Sequence, residues 1–152
     1  SGKPSCGPSL FGSWRSLVVI GLTNDENEQR KDNVMSDYKN LEVWKLSMDL
    51  VLSVYDLTKT LPSEERYALG DQMRRAAVSI PSNIAEGQAR GSKKEFAHFL
   101  NFSFGSLAEL ETQLCLCERI GYFTRVRLDP TFDMIARIQK MLSKLKSSLS
   151  VE

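Results

Sequence analysis

From Tyr38 onward the chain repeats apolar residues every three or four positions, and this one periodicity restricts it to helices. Leu41, Trp44, Met48, Val51 and Tyr55 advance by steps of 3, 4, 3 and 4, one stripe of an amphipathic helix. Leu46, Leu50, Val54, Leu57 and Leu61 draw a second stripe on the same segment. Leu61-Pro62 closes it, because a residue before proline is pushed out of helical geometry. Ser63 is then placed to cap a second helix, with Glu64 and Glu65 complementing its dipole.

The second helix carries Leu69, Met73, Ala76, Ala77, Ile80 and Ile84 on one face. Pro81 lies within that pattern and removes one backbone bond, so the helix is expected to kink or divide near it. Gly87 to Gly91 reads as the next break, and Ser92 with Glu95 is a capping-box signature. A third helix follows through Phe96, Leu100, Ser103, Leu107, Leu110, Leu114 and Cys117, with Gly121 as its stop. Tyr122 to Arg127 reads as a loop, Asp129 as a cap and Pro130 as the first position of a fourth helix. That helix shows Ile135, Ile138, Leu142, Leu145 and Leu149. Four helices on short loops predict an all-α, antiparallel up-down-up-down four-helix bundle.

The 152 residues suffice for one domain with a real core, and the 41% hydrophobic and 26% charged fractions are those of an ordinary globular protein. Ser1 to Ser16 is rich in Ser, Gly and Pro, and Thr23 to Asn33 is polar and charged. Met35 reads as the native start. Residues 1–35 are accordingly expected to be an extension of recombinant or upstream origin, or a disordered tail, before a bundle domain over 36–152. A short strand at Leu17 to Ile20 is the one element expected there. The longest apolar run, Leu17 to Leu22, is far shorter than the roughly 18–20 residues of a membrane span. It is also shorter than the roughly 7–15 residues of a secretory signal core, so the expected location is the cytoplasm. Cys6, Cys115 and Cys117 read as reduced, packed thiols, because Cys115 and Cys117 point about 200° apart on a helix.

Catalytic patterns are missing. Gly87-Gln88-Ala89-Arg90-Gly91-Ser92-Lys93 has neither the spacing nor the preceding strand of a phosphate loop. His98, the one histidine, sits mid-helix among Phe96, Phe99 and Leu100, which suits neither a triad nor a metal site. The expectation is a non-enzyme without cofactor or metal. Leu46, Leu50 and Leu57, with Phe102 and Phe104, lie off the main stripes and suggest a further buried surface between subunits.

Charge is segregated although the net is only +1. Arg74 to Lys94 holds five basic residues against Glu86 alone, and Arg119 to Lys146 holds seven against Asp129 and Asp133. Asp37 to Asp71 is acidic, with seven acids against four basics. A basic surface for nucleic acid would draw on Arg125, Arg127, Arg137, Lys140 and Lys144, with Arg74, Arg90, Lys93 and Lys94. Arg137, Lys140 and Lys144 share one helical face. The alternative is a protein-interaction scaffold whose basic residues only solubilise it.

The block Gly70-Asp71-Gln72-Met73-Arg74-Arg75-Ala76-Ala77-Val78-Ser79-Ile80-Pro81-Ser82-Asn83-Ile84-Ala85-Glu86-Gly87 is the most specific stretch. With Leu41-Glu42-Val43-Trp44 before it and Gly105-Ser106-Leu107-Ala108-Glu109-Leu110 after it, the chain closely resembles a family of bacterial four-helix bundle proteins. These are also called the intervening-sequence proteins of large-subunit ribosomal RNA. The resemblance covers roughly Tyr38 to Leu149. It implies assembly into a five-fold ring, a homopentamer. It also implies a link to nucleic acid, since many relatives are encoded within inserts in ribosomal RNA genes. A related group, the accessory variability proteins, serves retroelement reverse transcriptases and suggests such a protein partner. The resemblance transfers no catalytic residues. Its motif positions Arg75, Asn83, Glu86, Gly87, Ser106 and Glu109 read as structural: Asn83 and Ser106 would bond backbone or cross-helix groups, and Arg75 would pair with Glu86 or Glu109.

Overall fold

The computed structural model describes residues 37–149. The expected extension over 1–35, its short strand and Cys6 lie outside the described residues. Among the described residues every regular element is helical. A 3-10 turn, Tyr38–Asn40, precedes α1 (Glu42–Lys59), the one-turn α2 (Ser63–Arg66), α3 (Leu69–Ala89), α4 (Lys93–Ile120) and α5 (Arg125–Leu149). Four of these are long.

Cross-helix bonds show how the long helices meet. Arg74 of α3 donates to Thr58 Oγ1 of α1 at 3.0 Å. Ser103 Oγ of α4 donates to the Ile80 carbonyl of α3 at 3.0 Å, and Ser79 bonds Ser106. Gln139 of α5 reaches Glu111 of α4 at 3.5 Å, and Ser53 of α1 meets Thr131 of α5 at 2.9 Å. Between them Leu50, Val54, Met73, Ile80, Ile84, Leu100, Leu107, Leu110, Leu114, Leu128, Ile138 and Leu142 are sealed from solvent. This core supplies the main stabilisation, at about 25 cal/mol for each Å² of apolar surface removed from water.

Several boundaries differ from the sequence reading. Helix α3 runs unbroken through Pro81, and the interruption falls at Tyr67–Ala68, where Ala68 leaves helical geometry (φ −102°, ψ −91°). Proline still removes the bond to the Ala77 carbonyl. The side chains around it bond other carbonyls of the helix: Ser79 bonds Ala76 O, Ser82 bonds Val78 O and Asn83 bonds Ser79 O. Pro81 itself is buried in the packed interior, which holds the helix together there. Gly87 is likewise no break but an interior position of α3, and the chain turns only at Arg90–Ser92. Ser63 begins the one-turn α2 and makes no capping bond to it. Helix α5 starts at Arg125 rather than at Pro130, because Thr124 Oγ1 accepts from Arg127 N–H at 3.4 Å and nucleates the turn earlier. Asp129 does not cap; it pairs with Arg125 one turn back. At the other junctions Ser92 Oγ accepts from Glu95 N–H, and Gly121 takes the left-handed conformation (φ 91°) that ends α4.

On α1 the two stripes exchange roles. Leu50, Val54, Leu57 and Leu61 are buried, whereas Met48 and Tyr55 of the first stripe are exposed. Leu50 and Leu57 therefore belong to the core of the chain itself and leave no side chain for a subunit interface. Leu46 and Phe104 are half-buried against that core, and Phe102 stands 49% exposed. Cys117 lies against Met73 (Sγ–Sδ 3.8 Å), and burial pushes its thiol up to about 11. The unfolded thiol loses its proton at about 9, so this stabilisation is complete below that pH and is lost as pH rises towards 11. Iodoacetamide at pH 8 should leave Cys117 unmodified in the native protein and modify it in urea; rapid native labelling would contradict its burial.

Candidate nucleic-acid interface

The basic residues fall into two populations. At the end of the molecule where α2 and the α4–α5 loop meet, the arginines are engaged. Tyr122 OH of the loop donates to Glu65 of α2 at 3.2 Å, and burial with that carboxylate raises the phenol. Arg125 donates to Asp129 at 3.0 Å and Glu118 at 3.3 Å, and both bonds hold its guanidinium above the usual range. Its guanidinium also lies 4.4 Å from the centre of the Phe132 ring. Arg127 bonds Thr60 Oγ1 at 2.8 Å and stacks over Phe123. Arg74 is fixed by Thr58, the Arg66 carbonyl and Asp71. Elsewhere Arg90 pairs with Glu86 at 2.8 Å, which raises it, and lies over Phe99.

The second population is unengaged. Arg137, Lys140 and Lys144 are exposed on the outward face of α5 and make no hydrogen bond or ion pair among the described residues. They span seven residue steps, about 10 Å along the axis. Asp133, one turn before Arg137, is the nearest acid along that face and forms no bond to it. Lys93 and Lys94 are also exposed and unpaired, at the start of α4. Lys146 of α5 donates to Asn101 of α4 at 2.7 Å, which brings the end of α5 towards this region. The nine expected contact residues therefore do not form one patch. Arg125 and Lys144 are 19 residues apart on one helix, about 28 Å.

The motif residues are mostly accounted for within the chain. A Cβ at Gly87 would lie 2.6 Å from Phe99 Cβ and 2.9 Å from Phe96 Cδ2, so this glycine sets the close approach of α3 to α4. Asn83 holds Ser79 O, and Ser106 holds Phe102 O and meets Ser79. Arg75 pairs with neither expected carboxylate. Glu86 is eleven residues along the same helix, about 16 Å away, and bonds Arg90, while Glu109 accepts from Gln113. Arg75 instead lines a shallow groove of about 610 Å³ with Tyr55, Asp71, Arg74, Val78, Ser79 and Ser82. A second groove, about 400 Å³, lies between the start of α1 and the end of α5; the sequence reading missed both. His98 is exposed and packs edge-on against Phe99 and Phe102. Among the described residues no His, Cys, Asp or Glu side chains group as metal ligands, and no helix is long and apolar enough to cross a membrane.

Four long helices, a buried apolar interior and a candidate site made of surface charge define an all-helical protein. Residues 39–144 match the family model of the 23S rRNA-intervening sequence protein, and the chain belongs to that family. It is similar to a crystal structure from Bacteroides thetaiotaomicron, described as a protein with unknown function from the S23 ribosomal protein family. That match has a TM-score of 0.64 and 26% identity, and covers 68% of this chain and 97% of the other. No curated protein matches.

Proposed function

We propose that this chain is a non-catalytic, self-associating bundle protein of the cytoplasm that binds RNA through the outward face of α5. The observation that carries this reading is the stripe of Arg137, Lys140 and Lys144, three aligned cations without an internal partner beside arginines that have them. An unengaged cation can replace the counterions of a phosphate, whereas one held by a carboxylate must first give up that bond. The family's connection to 23S rRNA inserts supports RNA as the polyanion. Opposed cross-helix contacts, such as Arg127–Thr60 and Lys146–Asn101, support the antiparallel up-down-up-down reading of the fold. The proposed assembly is a homopentamer.

Fluorescence anisotropy with labelled structured RNA, titrated across salt, tests the RNA reading. The triple charge reversal R137E/K140E/K144E should abolish submicromolar binding, and neutralising the three residues should lower the log–log salt slope by about 2–3. Unchanged affinity in the reversal would move the surface elsewhere, and no binding at low salt would remove the reading.

A second reading has its own observation. Met48, Leu52 and Tyr55 form an exposed apolar stripe on α1, with Leu52 65% exposed. Such a stripe suits a protein partner, a reverse transcriptase being one candidate, and its binding would tolerate salt.

A further inference from the structure

Resting on the RNA reading, we propose that the groove between α1 and α5 receives an unpaired base of single-stranded RNA whose phosphates lie on the adjacent basic stripe. The groove is lined by Leu41, Val43, Met141 and Leu145, with Glu42, Lys144 and Ser148 at its polar points. Its volume, about 400 Å³, is within the range of small-molecule sites, roughly 300–1,000 Å³. Lys144 belongs to both features: it lines the groove and ends the stripe that begins at Arg137. Met141 follows Lys140, and Leu145 follows Lys144, so apolar and cationic rows run side by side along the same turns of α5. The one carboxylate, Glu42, is neutralised locally by Lys45 at 2.8 Å.

This pairing of surfaces selects among nucleic acids. A duplex offers phosphates to the stripe, but its bases are stacked and paired and cannot enter an apolar groove at their side. A single strand or hairpin loop offers both, its phosphates to Arg137, Lys140 and Lys144 and an extruded base to the groove. Met141 suits bases of different size, because an unbranched thioether side chain adapts its shape. The groove carries no fixed donor or acceptor array, so it recognises the presence of a base more than its identity.

Three labelled probes of equal phosphate count separate these contributions: a single-stranded RNA, the same strand with abasic sites, and a fully paired RNA of half the length. The intact strand should bind about tenfold tighter than either of the others at equal salt. The salt slope should be similar for the intact and abasic strands, since their phosphate contacts are the same. Met141→Gln should erase most of the difference between these two strands while leaving paired-RNA binding unchanged. If that variant is poorly folded, the three-probe comparison on the unaltered chain decides alone. Equal affinity for all three probes would overturn the groove and leave the RNA reading standing, while no binding of any would remove both. A Met141→Gln variant that changes the assembly state and weakens all probes alike would also overturn the proposal, assigning the groove to contact with another copy.

Discussion

Gly87→Ala is expected to destabilise the folded chain by about 1–3 kcal/mol, although alanine is the better helix former. The added methyl would sit 2.6 Å from Phe99 Cβ and 2.9 Å from Phe96 Cδ2, with the Phe96 backbone at 3.4 Å. Phe99 Cβ is tied to the α4 backbone and cannot swing aside as the tip of a long side chain would. Relief therefore requires α3 and α4 to separate, which loosens Ile84, Phe96 and Leu100 together. Gly105 provides the internal control. It lies in the interior of α4 and nothing is within 4 Å of its Cβ position. Gly105→Ala should stabilise by about 0.5–1 kcal/mol, through the lower conformational entropy of the unfolded chain. Urea unfolding of the two variants should move in opposite directions; a stabilised Gly87→Ala would disprove the tight approach.

The second large effect is expected at Leu50. Truncation to alanine should cost about 2–5 kcal/mol, the loss of a buried leucine plus the cavity left behind. Leu52→Ala, two residues along the same helix, should change stability by no more than about 0.5 kcal/mol, because its side chain is largely in solvent. The two also separate core from interface. If Leu50 served subunit contact, its truncation would shift the concentration dependence of unfolding and spare the isolated chain. Equilibrium unfolding at several protein concentrations distinguishes these, and a silent Leu50→Ala would refute its burial.

The helical class and the family were legible in the sequence because periodicity and the Gly70–Gly87 block are local signals. What failed was choice between locally equivalent options. Helix α1 carries two stripes with the same 3-4 spacing, and only the positions of α3 and α5 decide that Leu50 faces inward while Met48 does not. Gly87 has the composition of a break, yet its smallness serves an approach by Phe96 and Phe99 from another helix. Pro130 suggested a helix start, and the weaker signal of Thr124 overruled it. The candidate site was half legible. Spacing alone aligned Arg137, Lys140 and Lys144, because one helix determines their common face. It could not show that Arg127 is held by Thr60 or Arg74 by Thr58, since those partners come from across the molecule. Nor could it show the groove beside Lys144, which exists only where two helices meet.

The engagement of the arginines at one end has a consequence for how the molecule is sensed at a distance. Charges in physiological salt are screened over about 8 Å. Beyond that range a closely bonded arginine and carboxylate present little more than a small dipole. An approaching polyanion therefore does not experience the sum over the sequence, only the nearest uncompensated groups. Along α5 those include Arg137, Lys140 and Lys144, with the unbonded Asp133 one turn before them, while Asp129, bonded to Arg125, is about 22 Å from Lys144 along the axis, more than two screening lengths away. A nearly neutral chain can in this way still present a locally cationic face.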